Sequence, residues 1–133
     1  MSPIFIIDDD ADYRAYLAEL LARDDVPTRV FSSARAALAL IEEQEVAAIV
    51  TDIMMPDMDG IELVRAVRRR QRNLPILVLS AYEPDVADVY LKAATAVGAT
   101  FIGRKGQDDV HLLRALTGVV DFHHHVERRG GSR

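Results

Sequence analysis

The chain has 133 residues, the size of one domain, and half of them are hydrophobic, enough for a packed core. A net charge of -5 argues against nucleic acid or anionic lipid as the main partner, and the absence of cysteine excludes a disulfide framework or a thiolate metal site. The opening MSPIFIIDDD has no basic region and only a short apolar run, and no stretch approaches the ~20 apolar residues of a membrane span, so a cytoplasmic location is expected.

From the N-terminus, PIFII (3–7) reads as a buried strand that stops on Asp8, Asp9 and Asp10. Tyr13, Leu17, Leu20 and Leu21 then recur on one face of a helix. TRVF (28–31) predicts a second strand, followed by a helix with Ala34, Ala37, Leu38 and Ile41 inward and Ser32 or Ser33 as its cap. AAIVT (47–51) is the third strand; it ends abruptly at Asp52 and opens into a loop, DIMMPDMDG. After Gly60, a helix turns Leu63, Val64 and Val67 inward, and its basic end RAVRRRQRN (65–73) is read as favourable charge at a helix C-terminus rather than a nucleic-acid patch. PILVLS (75–80) is the fourth strand, and Val86, Val89, Tyr90, Ala93 and Val97 predict the inward stripe of the next helix. TFI (100–102) is a short fifth strand, and DDVHLLRALTGVV (108–120) a last helix with acids in its first turn.

This order is five β–α pairs, and continuous apolar strands point to a parallel sheet covered on both faces, a doubly wound α/β sandwich. Residues 1–120 are read as one domain, and 121–133 (DFHHHVERRGGSR), where the periodicity fades, as a flexible tail or the start of a linker.

In such a sheet, ligands bind outside the carboxyl ends of the strands. Asp8 and Asp9 end the first strand, Asp52 the third and Ser80 the fourth, and Lys105 lies just beyond the fifth, so all five are expected on one edge. Two ionised carboxylates ~4 Å apart repel by about 4 kcal/mol at an effective dielectric of ~20, so three together call for a cation. Oxygen ligands without nearby Cys or His favour Mg²⁺, and Mn²⁺ or Ca²⁺ less strongly; the Mg²⁺ octahedron is completed by water and phosphate oxygens. Such a site suits phosphate, and an aspartate can itself carry a phosphoryl group, with Ser80 and Lys105 binding its oxygens.

The set IIDDD (6–10), TDIMMPDMDG (51–60), PILVLSA (75–81), GAT (98–100) and Lys105 resembles the receiver domain of bacterial two-component response regulators, over about residues 3–120. The resemblance implies a flavodoxin-like five-stranded parallel sheet of order 2-1-3-4-5 with helices on both faces. It implies Asp52 as phosphoacceptor, Asp9 as a direct Mg²⁺ ligand, Asp8 acting through water, the Met54 carbonyl as a further ligand, and Ser80 and Lys105 on the phosphoryl group. Pro56 and Gly60 shape the loop, Asp10 caps the first helix, and Asp57 and Asp59 are expected to be solvent-facing loop acids.

Three features depart from the family. The interval from Ser80 to Gly98 is longer than usual, Ile102 holds the place of the usual fifth-strand aromatic, and Gly106 follows Lys105 where proline is frequent. Switching is therefore expected to involve Tyr82 or Tyr90, with Ile102 as static core. Two rivals are weighed. One is a haloacid-dehalogenase-type phosphatase with Asp8 as nucleophile and Asp10 as acid/base, which leaves Asp52 unexplained. The other is a receiver-like binding module that signals without phosphate.

The expected function is a phosphorylation-controlled signalling switch that catalyses its own phosphorylation and aspartyl-phosphate hydrolysis with Mg²⁺. Its donor would be a sensor histidine kinase or phosphotransfer protein, and its target a downstream protein or an output domain beyond residue 133. No direct nucleic-acid or membrane contact is expected, and the chain is expected to be a monomer or a phosphorylation-dependent dimer.

Overall fold

The computed structural model describes residues 2–81 and 84–131, with side chains described except at Pro84, Asp85, Ala87 and residues 122–131. Strands and helices alternate: β1 (Ile4–Ile7), α1 (Ala11–Arg23), β2 (Thr28–Phe31), α2 (Ala34–Ile41), β3 (Ala48–Asp52), α3 (Gly60–Arg68), β4 (Ile76–Ser80), α4 (Pro84–Val97), β5 (Phe101–Arg104) and α5 (Asp109–Gly131). The sheet has five parallel strands in the order β2-β1-β3-β4-β5. This is the doubly wound, flavodoxin-like order.

The unbroken apolar runs follow from burial on both faces. Successive side chains of a strand point to opposite sides, so Phe5, Ile7, Ile49, Ile76 and Val78 join α2, α3 and α4 in one core. Ile4, Ile6, Val50, Leu77 and Leu79 join α1 and α5 in the other. β2 lies at the sheet edge, and there Arg29 and Val30 face solvent.

Three local expectations change. The α4 stripe is rotated: Val86 and Val89 are exposed, and Leu91 and Ala94 are buried instead, with Tyr90 and Val97 packed at the margin. Four-residue spacings through Val86 and Val89 fit a helix on any face, and the sheet selects the face carrying the bulkier leucine. β5 starts one residue later than expected and runs on through Gly103 and Arg104. The backbone of α5 continues as helix over 121–131, past the point where periodicity fades. Ile102 packs, partly buried, against the α2–α3–α4 core. Tyr82 and the side chains of the histidine run lie outside the described residues.

The basic run at the end of α3 has a structural member. Arg68 donates from Nε to the Gly98 carbonyl (2.9 Å) and from Nη1 to the Gln71 carbonyl (2.9 Å), joining the ends of α3 and α4. Charge at a helix C-terminus, the reading made from position alone, is here satisfied by carbonyls left open by two helices.

The rotated stripe gives a direct test. Leu91→Ala should destabilise the protein by about 2–4 kcal/mol because it leaves a cavity, whereas Val89→Ala, on the solvent side, should stay within about 0.5 kcal/mol of wild type. Urea unfolding of the two variants measures both; equal losses would return the stripe to its expected face.

Candidate functional site

Parallel strands all end at the same side of the sheet, and this alone gathers the chemistry. β1 stops at Ile7, one residue before Asp8; β3 ends on Asp52 itself; β4 ends on Ser80; β5 ends one residue before Lys105. Because β1 and β3 are neighbours, with Ile7 opposite Thr51, the two acid-bearing ends are adjacent. One carboxylate oxygen each from Asp8, Asp9 and Asp52 lie within 4.8 Å of one another.

Their environments differ. Asp8 is buried, Asp52 is partly buried and Asp9 is exposed. The Lys105 ammonium lies 2.5 Å from Asp8 Oδ2 and 3.4 Å from Asp52 Oδ2. Asp8 Oδ1 accepts the Asp10 N–H, and Asp52 Oδ1 accepts the Ile53 N–H. Burial, with the Asp8 charge adding to it, pushes the Asp52 carboxyl up to about 6, although Lys105 and the Ile53 N–H pull the other way. One lysine shared between buried acids therefore leaves negative charge uncompensated. A hard divalent cation fits this donor set: clustered carboxylate oxygens, those of Asp9 solvent-accessible, with no His or Cys in the cluster among the described residues.

Ser80 is buried at the end of β4, one residue beyond Leu79, the partner of Asp52, and its carbonyl accepts the Lys105 N–H (2.9 Å). Met54 lies in the loop after β3 with its side chain exposed. Gly60 closes that loop, donating its N–H to the Ile53 carbonyl (2.6 Å). A Cβ at Gly60 would overlap the Asp52 carbonyl oxygen and touch Ile53 Cα, so only glycine lets α3 start this close to the strand tip.

Asp10 caps α1, its side chain accepting the N–H groups of Asp12 and Tyr13. That use leaves the acid/base role in the phosphatase reading without support. Asp57 and Asp59 are not merely solvent-facing. Asp59 caps α3 by accepting the Glu62 N–H (2.8 Å). Asp57 accepts the Ser33 hydroxyl (2.7 Å) and the Arg35 N–H (3.0 Å) at the start of α2, and these bonds, the hydroxyl first, hold its carboxyl down at about 2. The loop after Asp52 is thereby tied to α2.

Residues not singled out from the sequence complete the surroundings. The Arg14 guanidinium donates to the Asp8 carbonyl (2.6 Å). The Tyr13 ring lies under the Lys105 ammonium, 4.6 Å from ring centroid to Nζ, and its hydroxyl donates to Asp109 Oδ2 (3.2 Å). Burial, then the Asp109 carboxylate, pushes the Tyr13 phenol far above its ordinary value, so it stays a donor. In the sequence Tyr13 was only a position on the α1 face and Asp109 only an acid in a first turn.

Asp52 has a raised value in the folded protein, so the folded state holds its proton more tightly than the unfolded chain does. The resulting stability is fully present below about pH 4 and is lost as pH rises through about 6. In metal-free buffer near pH 7.5, Asp52→Asn should therefore be more stable than wild type by about 1–3 kcal/mol, and the gap should shrink near pH 5. Urea unfolding at the two pH values checks this; a gap that stays constant would show that the charge of Asp52 does not strain the fold.

Known proteins resemble this chain in sequence and fold. Residues 4–117 match the family described as response regulator receiver domain. The chain is 37% identical over 115 residues to an uncharacterized 14.6 kDa protein of Leptolyngbya boryana, covering 85% of this chain and 86% of that one. It is 32% identical over 128 residues to the transcriptional regulatory protein FixJ of Rhizobium meliloti, covering 89% of this chain but only 62% of FixJ. Against the DNA-binding transcriptional regulator NtrC of Proteus hauseri the matched part is 17% of that protein. Among solved structures, FixJ-N superposes with a TM-score of 0.77 at 27% identity, covering 91% of this chain and 94% of that one. Chemotaxis protein CheY4 of Vibrio cholerae gives 0.75 at 29%, covering 90% and 98%. With its strand order and acid-bearing strand ends, the chain belongs to the response regulator receiver domain family of two-component signalling proteins.

Proposed function

We propose that the protein is a phosphorylation-controlled switch whose phosphoacceptor is Asp52. The observation that carries this reading is the position of the Asp52 carboxylate: it is at the tip of β3, shares Lys105 with Asp8, and has an oxygen within 4.8 Å of those of Asp8 and Asp9. An Asp52 oxygen attacks the phosphorus of a phosphohistidine on a sensor histidine kinase or phosphotransfer protein. The O–P bond forms as the N–P bond breaks, and the electron pair leaves with the imidazole, which takes up a proton. Lys105 offers its positive charge, and Ser80 its hydroxyl, to the phosphoryl oxygens. Hydrolysis reverses the state: water attacks phosphorus, the O–P bond breaks, and the Asp52 carboxylate is restored with release of inorganic phosphate. In this reading the chain catalyses both the transfer and the hydrolysis on its own Asp52.

Asp9 directly, Asp8 through water, Asp52 and the Met54 carbonyl would hold Mg²⁺, which when bound neutralises charge on the acids and on the phosphoryl group. The exposure of Asp9 and the engagement of Asp8 with Lys105 support that division. Residues 1–120 form the phosphoacceptor domain in this reading. Residues 121–133 form a tail or the start of a linker to an output domain; otherwise the switch acts on a separate protein, changing its surface over 81–120. The protein works in the cytoplasm, as a monomer or a phosphorylation-dependent dimer, without binding nucleic acid or membrane itself; among the described residues no helix is long and apolar enough to cross a membrane.

Incubation with acetyl phosphate and Mg²⁺, followed by intact-mass measurement, should add one phosphoryl group to wild type and none to Asp52→Asn. Label persisting in Asp52→Asn would move the acceptor, to Asp8 first. A wild type that takes no label would leave a receiver-like module signalling without phosphate.

The metal assignment is tested separately. Asp8→Ala should weaken Mg²⁺ binding by about tenfold, as loss of a water-bridged partner does, and Asp9→Ala should weaken it further. Calorimetric titration gives both values, and equal affinities would remove the asymmetry between the two acids.

A further inference from the structure

We propose that Tyr13 and Asp109 are positioning residues for Lys105, holding its ammonium between the acids by a closed circuit through α1, α5 and the turn after β5. The proposal rests on the reading that Lys105 binds a phosphoryl group on Asp52. The circuit can be followed atom by atom. From Lys105 the chain passes to Gly106, whose N–H donates to Asp109 Oδ2 (3.1 Å). The same oxygen accepts the Tyr13 hydroxyl (3.2 Å), and the Tyr13 ring face returns to the Lys105 ammonium, 4.6 Å from Nζ to the centroid. Asp109 is 3% exposed and is itself fixed by the Val110 N–H at Oδ1 (3.0 Å). Lys105 is thus held at both ends, its backbone through Gly106 and its charge through the ring.

The chemistry explains why an aromatic face belongs there. Lysine is a compact charge on a flexible stem, and without a platform it follows the stronger carboxylate. Here it already lies 2.5 Å from Asp8 and 3.4 Å from Asp52. A third carboxylate beneath it would neutralise the charge needed by the phosphoryl oxygens. The quadrupole of a ring attracts the ammonium without cancelling its charge, and lets it slide toward Asp52 when negative charge arrives there. Gly106 serves the same end. It has φ +79°, a conformation in which glycine is unstrained, and its N–H must be present to reach Asp109. Tyr16 packs on the outer side of Tyr13, with ring centroids 5.9 Å apart, and closes the ring in place.

The test uses the full chain. Acetyl phosphate labelling with Mg²⁺ is timed for wild type, Tyr13→Leu, Lys105→Met and the double variant. Tyr13→Leu should slow labelling by about tenfold while Lys105 is present, and by less than about twofold once Lys105→Met has removed the cation. Equal slowing in both backgrounds would mean that Tyr13 only supports the fold, and would overturn the proposal. Tyr13→Phe keeps the ring and loses only the anchor to Asp109, so it should slow labelling by about two- to fivefold; a rate as low as that of Tyr13→Leu would overturn the part played by the ring. A second readout needs neither turnover nor the Leu variant. The Cε protons of Lys105 in wild type should show an upfield ring-current shift by NMR that shrinks in Asp109→Asn and moves on adding beryllofluoride with Mg²⁺. Cε protons at the ordinary lysine position in wild type would overturn the proposal. Failure of the underlying reading looks different: wild type then takes no label, or Asp52→Asn takes as much. Label that depends on Asp52 but is indifferent to Tyr13→Leu overturns the positioning role alone.

Discussion

Like-charge repulsion at the carboxyl ends of β1 and β3 is the constraint around which this protein is built. Asp8 and Asp52 sit on adjacent strands and share one lysine, and Asp9 adds a further carboxylate within 4.8 Å. At an effective dielectric of ~20, each close pair of such charges costs about 4 kcal/mol. Burial raises the Asp52 carboxyl, and the Asp8 charge adds to it. A site poised in this way responds strongly to whatever brings or removes positive charge, and that is the property a signalling switch requires.

The rest of the fold holds that unfavourable cluster in place. The sheet is buried on both sides by separate apolar cores, so the strand tips cannot separate without disrupting one of them. Gly60 brings α3 against the Asp52 backbone. Asp57 fastens the loop after β3 to the start of α2, and Arg68 fastens the end of α3 to that of α4. Each is a charged or polar contact at an element end, where backbone groups are otherwise open. Polar ties at the rim and apolar packing beneath let a sheet carry its acids at one edge without relaxing away from them.

The surroundings of Lys105 show how a shared fold takes on individual character. Ile102, on β5, packs into the core on the α2–α3–α4 side, while the Lys105 ammonium is addressed from α1 and α5, on the opposite side of the sheet. Exposed valines line α4, turned outward because Leu91 and Ala94 take the sheet-facing side. Similarity to FixJ-N and CheY4 at 27% and 29% identity covers the scaffold and leaves such contacts free to differ.

Much of this was legible in the sequence. Apolar runs of strand length, separated by helical periodicities, determined the β–α alternation, and with it the placement of Asp8, Asp9, Asp52, Ser80 and Lys105 on one edge, because parallel strands must all end on the same side. Composition determined that any metal there would meet oxygen ligands. The facing of α4 was not legible: two overlapping apolar stripes share the helical period, and only packing against the sheet chooses between them. Nor were the roles of Asp57, Tyr13 and Asp109. Their partners lie 24 residues away for Asp57 and 96 for the Tyr13–Asp109 pair, and no local spacing encodes such a meeting. Sequence alone decided which groups reach the strand ends, since that follows from chain direction. Only the tertiary structure decided which of them touch, since a hydrogen bond or an ammonium over a ring depends on ångström-scale distances between elements that the chain connects only through the whole sheet.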